Sequence, residues 1–214
     1  ARWCTSCTLI IASFCIFDRA EYMTLAASLI GVTSLLLNAK GNPLGQLLTI
    51  IFSVFYGIIS FSFAYYGEMI TYLGMTAPMA VFALVMWLRH PYNGKRSEVA
   101  VNRISGKEAI LMLFLATAVT AVFYFILDAF DTANIVPSTI SVTTSFLAVY
   151  LTARRSEYFP LAYAANDIVL IVLWTLAAMS DISYISVVIC FAMFLANDIY
   201  GFINWSRMKR RQNA

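Results

Sequence analysis

The chain is a succession of apolar stretches cut by short polar breaks, and few folds tolerate that pattern. A helix rises about 1.5 Å per residue, so roughly 20 apolar residues cross the ~30 Å hydrocarbon core of a bilayer. Seven stretches approach or reach that length: Tyr22 to Leu37, Leu44 to Tyr65, Met69 to Leu88, Glu108 to Leu127, Thr132 to Thr152, Tyr158 to Met179 and Ser183 to Trp205. An eighth, Trp3 to Phe17, is short for a span and leaves room for an extra N-terminal helix, whole or partial. Composition agrees. Only 12% of the 214 residues are charged, 61% are hydrophobic, and the mean hydropathy is +0.79, which leaves too little charge to solvate a soluble domain. The expected fold is an all-α integral membrane protein with seven transmembrane helices. No cleavable signal peptide is evident, and the Ala1 start reads as trimmed.

The breaks carry turn chemistry. Asp18-Arg19-Ala20-Glu21 is polar, Asn38 to Pro43 is a strong turn signal, and Gly67-Glu68 ends the second span. Pro78 lies inside the third span and Pro137 near the start of the fifth, where each is expected to supply a bend. The longest polar segment, His90 to Lys107, is the natural midpoint linker. The division is residues 1–21 as N-terminal helix and break, 22–90 as a first three-helix unit, 91–131 as linker and connector helix, 132–206 as a second three-helix unit, and 207–214 as a basic tail.

Charge supports this layout. Putting the tail, the Lys40 turn, the linker and the Arg154-Arg155 loop on one side gathers 12 of the 14 basic residues there. The other side keeps Arg19 with Asp18, Glu21, Glu68, Asp128, Asp131 and Asp181. Basic loops stay in the cytoplasm, so the C-terminus is expected on the cytoplasmic side. The chain also repeats. Ser28 to Ser34 reads against Ser138 to Thr144 at an offset of 110, and Trp87-Leu88-Arg89 matches Trp205-Ser206-Arg207 at an offset of 118. Three spans, a connector and three spans again would run the two triplets the same way across the bilayer, a parallel repeat.

Polar groups at membrane depth are costly, so their placement points to function or to helix packing. Asn197, Tyr200, Gly201, Asn204 and Trp205 fall on one helical stripe of the last span. Tyr163, Asn166 and Asp167 share a face of the span before it. Away from the span ends, Asp167 and Asp198 are the only acids inside spans, each following an Asn. Three readings stay open: these groups bind a polar solute, they carry protons for a coupled carrier, or they bond one another and hold the bundle. Gly201 suits close helix approach. The hydroxyls of Ser138, Ser141, Thr144 and Ser145 either face a solute or bond back to their own helix. An enzyme is not expected: no metal-binding set, phosphate loop or paired nucleophile and base is present, and no cofactor or metal is called for. Cys4-x-x-Cys7 has no second pair or His and reads as apolar filler. The basic tail reads as a topology signal rather than a nucleic-acid site.

At this point the residues resemble a known family, the PnuC bacterial vitamin transporters, related in fold to the SWEET sugar transporters. Asn197-x-x-Tyr200-Gly201-x-x-x-Trp205 matches the family's N-x-x-Y-G-x-x-x-W pattern, and the likeness extends from Tyr22 onward through Tyr66-Gly67-Glu68 and Pro78-Met79. The resemblance implies homotrimers that pass a vitamin, most often nicotinamide riboside, by facilitated diffusion, with phosphorylation inside the cell trapping it. The polar stripe and the repeat place the expected solute site among Tyr163, Asn166, Asp167, Asn197, Asp198, Tyr200, Asn204 and Trp205. The family's W-x-x-W-x-x-N pattern is kept only at Asn166, with Tyr163 and Pro160 in place of its tryptophans. Phe52 also stands where nicotinamide riboside carriers tend to have Asn. A (deoxy)nucleoside, thiamine or riboflavin is the alternative solute, and a proton-coupled carrier using Asp167 and Asp198 the alternative mechanism.

Overall fold

The computed structural model describes residues 2–17, 21–62, 65–132 and 134–214. The Asp18-Arg19-Ala20 part of the first polar break lies outside the described residues. Helix α1 (Arg2–Phe17) is followed by α2 (Tyr22–Ala39), α3 (Leu44–Ser62), α4 (Tyr66–Arg89), α5 (Gly106–Ala129), α6 (Ile135–Ala153), α7 (Phe159–Ala178) and α8 (Ile185–Gln212). Among the described residues, seven helices are long and apolar enough to cross a membrane, α2 to α8. Helix α1 has 16 residues, which makes it about 24 Å long, short of a ~30 Å span. It packs on α2 and α8.

Local chemistry sets the helix ends. Ser105 caps α5, its hydroxyl accepting from the Glu108 amide at 3.3 Å, a Ser-x-x-Glu start. Gly41, at φ +67°, turns the chain after α2, and the Asn42 side chain accepts from Leu44 N at 3.0 Å to begin α3. Helix α4 is π-helical over Thr71–Thr76, and Pro78 lies in the first turn of the α-helical segment that resumes at Ala77. A proline has no N–H and crowds the carbonyl four residues back, and the wider turn ahead of it absorbs that mismatch. Pro137 sits in the first turn of α6, where its missing N–H costs no helix bond.

The span limits differ from the sequence reading in one consequential place. Gly67 and Glu68 do not end a helix; both are buried in the first turn of α4. The linker also holds structure that hydropathy does not reveal. Pro91–Tyr92 (β1) and Lys95–Val99 (β2) pair antiparallel around Asn93-Gly94, both at positive φ, an Asn-Gly hairpin turn.

The linker fastens one end of the bundle. Val99 N donates to Gly41 O at 3.0 Å, in the turn after α2, and Asn102 N donates to Arg155 O at 3.0 Å, in the turn after α6. The tail residues continue α8 without a break, and Gln212 reaches the linker, accepting from Val101 N at 2.7 Å and donating to Val99 O at 3.1 Å. Arg211 pairs with Glu98, Lys209 with Glu157, and Arg154 with Glu108. Two indoles tie the helices together at this end. Trp87 Nε1 donates to Thr152 O at 2.9 Å, and Trp205 Nε1 donates to Asn38 O at 2.8 Å.

Candidate functional site

Two aromatic layers leave a polar cavity between them. At the hairpin end, Trp87, Phe159 and Trp205 pack with Val99 and Leu151, the Phe159 and Trp205 rings 4.8 Å apart. Toward the opposite end, Tyr56 is enclosed by Phe52, Tyr72, Trp174 and Phe191, and accepts from Trp174 Nε1 at 2.6 Å. Trp174 then meets Tyr65 and Tyr184. Rings of this size exclude water through area and edge-to-face contact. The cavity between the layers is small, about 40 Å³, and is lined by Ser34, Asn38, Thr49, Phe52, Tyr72, Thr76, Tyr163, Asn166, Asp167, Phe194 and Asp198 among others.

Asn166 is the best-defined polar group in that lining. Its Oδ1 is surrounded by three hydroxyls of α6: Thr144 at 2.8 Å, Ser145 at 3.1 Å and Ser141 at 3.4 Å. Those contacts occupy the acceptor and fix which way the amide points. Nδ2 has no partner among the described residues, so its donors are left to the cavity. The hydroxyl-rich face of α6 therefore serves the site through Asn166, while Thr144 also bonds its own helix at Ile140 O and Ser141 O.

On the other wall, Asn38 bridges α2 and α3. Its Nδ2 donates to Thr49 Oγ1 at 3.1 Å, and its Oδ1 accepts from Gln46 Nε2 at 2.9 Å. Asp167 and Asp198 are buried on α7 and α8, close enough for their carboxyls to interact, with Asp167 Oδ2 left unpartnered. Among the described residues, no group of three His, Cys, Asp or Glu could hold a metal ion.

The structure brings four of the expected solute residues to the cavity: Tyr163, Asn166, Asp167 and Asp198. The rest of the α8 stripe is elsewhere. Asn197 donates to Ser6 Oγ of α1 at 3.1 Å and to Met193 O at 2.7 Å. Asn204 donates to Ala39 O at 2.6 Å. Trp205 is fully buried in the hairpin-end cluster. Gly201 lies against α7 and α2, where a Cβ would come 3.3 Å from Pro160 Cβ and 3.7 Å from Ala39 Cβ. Tyr200 is half-buried and does not line the cavity. The stripe faces neighbouring helices, so its polar groups bond backbone and small side chains there.

Sequence reading missed Asn38, Thr49, Tyr72 and Thr76 in the lining, and Glu68 as a buried acid. A signal for the last was present. Glu68, Thr71, Tyr72, Met75 and Thr76 follow i, i+3, i+4, i+7, i+8 spacing, and all five are buried.

Comparison with known proteins fits this geometry. A crystal structure described as the vitamin B3 transporter PnuC superposes with a TM-score of 0.85 at 22% identity, covering 98% of this chain and 91% of that one. A relative named nicotinamide riboside transporter PnuC from Neisseria mucosa is 24% identical over 93% of this chain and 77% of its own length. A second of that name, from Haemophilus influenzae, is 21% identical over 90% and 83%. Residues 21–207 match the family described as Nicotinamide mononucleotide transporter. With seven membrane-length helices among the described residues, a polar-lined cavity between them and that match over most of its length, the chain is a multi-pass membrane protein that belongs to this transporter family, whose members are not enzymes.

Proposed function

We propose that the protein carries nicotinamide riboside, or a closely related nucleoside-like solute, across the bacterial cytoplasmic membrane. The observation that carries this reading is the oriented Asn166 amide, its donors turned into a cavity walled by Phe52, Tyr72, Tyr163 and Phe194. A flat ring with an amide substituent and a ribose needs aromatic faces and a few fixed donors and acceptors. The two relatives named for nicotinamide riboside support the same solute. Phe52 and Tyr163 fit ring contact, Asn166 a carbonyl acceptor, and Asp167 and Asp198 ribose hydroxyls or positive charge. The hairpin end gathers Lys40, Arg89, Arg103, Arg154, Arg155 and Arg207, so it belongs in the cytoplasm together with the C-terminus. Transport is facilitated diffusion through a homotrimer whose protomers each hold one site. Rocking of α2–α4 against α6–α8 opens the cavity to either side, and phosphorylation inside the cell traps the solute.

The test is uptake of labelled nicotinamide riboside by proteoliposomes, with thiamine, riboflavin, thymidine and deoxyadenosine as competitors. Saturable uptake that nicotinamide riboside competes best supports the reading. Uptake blocked best by a deoxynucleoside overturns the solute and keeps the carrier.

One contact favours a second reading. Two carboxyls buried this close to each other repel when both are ionised, and a pair that favours holding one proton suits a proton-coupled carrier. Uptake that collapses with a protonophore and is lost in Asp167→Asn and Asp198→Asn would select it over passive diffusion.

A further inference from the structure

A third carboxyl lies deep in the protein, away from the cavity. Glu68 is 2% exposed in the first turn of α4. The Ser141 hydroxyl is close enough to interact with it, yet its Oε2 is sealed from solvent with no partner. Two other buried oxygens without partners lie on segments at the same end of the bundle: Ser60 Oγ in the last turn of α3 and Thr132 Oγ1 before α6. Thr132 packs on Gly67, where a Cβ would sit 3.1 Å from its Cγ2. A buried carboxylate oxygen left unpaired is expensive, and a fold that keeps one invites a ligand for it.

Ser141 links this group to the cavity. The Ser141 hydroxyl beside Glu68 is 3.4 Å from Asn166 Oδ1. Tyr72, which lines the cavity, lies close enough to both Glu68 and Asp167 to interact with their charges. From that end to the middle, the buried acids are Glu68, Asp167 and Asp198. The basic residues of α4, α5 and α8 are confined to turns at the hairpin end: Arg89, Lys107 and Arg207 to Arg211. Acids without bases along a low-dielectric route favour positive charge.

We propose that Glu68 is an outer cation station on the transport route, where its free carboxylate oxygen receives the positively charged ring of the solute before the ring reaches Asn166 and Asp167. This rests on the nicotinamide riboside reading, since that solute is an N-glycosylated pyridinium with a permanent positive charge. Its dihydro form has taken up a hydride, is nearly the same shape and is neutral. Glu68 therefore selects between the two by charge, not by fit.

The experiment measures initial uptake of both forms by proteoliposomes bearing wild type, Glu68→Gln or Glu68→Asp. The quantity read is the ratio of cation to neutral uptake, which does not depend on how much of a variant folds. Glu68→Gln should lower the ratio about tenfold, the size of one lost charge-assisted contact, while Glu68→Asp keeps most of it. A wild-type ratio in Glu68→Gln overturns the assignment alone, as does an equal fall for both forms. If wild type carries neither form, the solute reading fails and the station fails with it.

Discussion

Asn166 works through its partners. Three hydroxyls hold its carbonyl, so its N–H groups enter the cavity already oriented, and orientation is costly for a solute to impose. Replacing it with Ala removes those donors and leaves Ser145 without its acceptor. We expect Asn166→Ala to weaken solute binding about tenfold or more, ~1–2 kcal/mol, in calorimetry. Trp205 should behave differently. Its indole N–H bonds Asn38 O at the hairpin end, so Trp205→Phe should cost ~1 kcal/mol of stability by thermal melting and leave affinity within about twofold. Trp87→Phe, which loses the bond to Thr152 O, should cost about the same. Spacing on α7 made Tyr163, Asn166 and Asp167 legible because helical periodicity puts them on one face. Periodicity on α8 found a true stripe as well, but not what it faces. A polar stripe turned toward another helix and one turned toward a cavity look alike in sequence.

At the level of elements, span number and order were legible because hydrocarbon thickness sets helix length. The β hairpin was not, although Asn93-Gly94 advertised it, because a polar linker gives no hydropathy contrast. The proposed repeat shows how far pattern goes. Sequence matching aligned α2 with α6 at an offset of 110, but the turns after the two helices bond alike at 114. Asn42 N donates to Leu37 O and Ser156 N to Leu151 O, while Gly41 and Arg155 both take positive φ. At that spacing, buried Thr24, Ala27, Ser28, Gly31 and Asn38 fall on buried Ser138, Ser141, Val142, Ser145 and Thr152. A slip of four residues is one helical turn, which keeps a face in place and so hides in apolar sequence. Close α2–α3 packing has its own test. A Cβ on Gly45 would lie 2.2 Å from Asn38 Oδ1. Gly45→Ala should therefore cost ~1–3 kcal/mol of stability and weaken solute binding by displacing Asn38.

Across the whole molecule, the two triplets clasp each other reciprocally. An indole at the end of each donates to the end of the other's first helix, and the linker bonds both turns. The same spacing that equates the turns pairs Thr49 with Tyr163 and Phe52 with Asn166, all four in the cavity lining. We read this as a parallel repeat with one half-site on each triplet, the second more polar than the first. Gln212 is the outermost part of the clasp, so Gln212→Ala should speed hydrogen exchange at the Val101 amide, about tenfold for each ~1.4 kcal/mol of bonding lost. The most direct measurement of all is calorimetric titration of the detergent-purified protein with nicotinamide riboside, beside Asn166→Ala and Trp205→Phe. Binding by wild type and Trp205→Phe, with Asn166→Ala at least about tenfold weaker, is the predicted result. Wild-type affinity in Asn166→Ala would contradict the placement of the solute in this cavity.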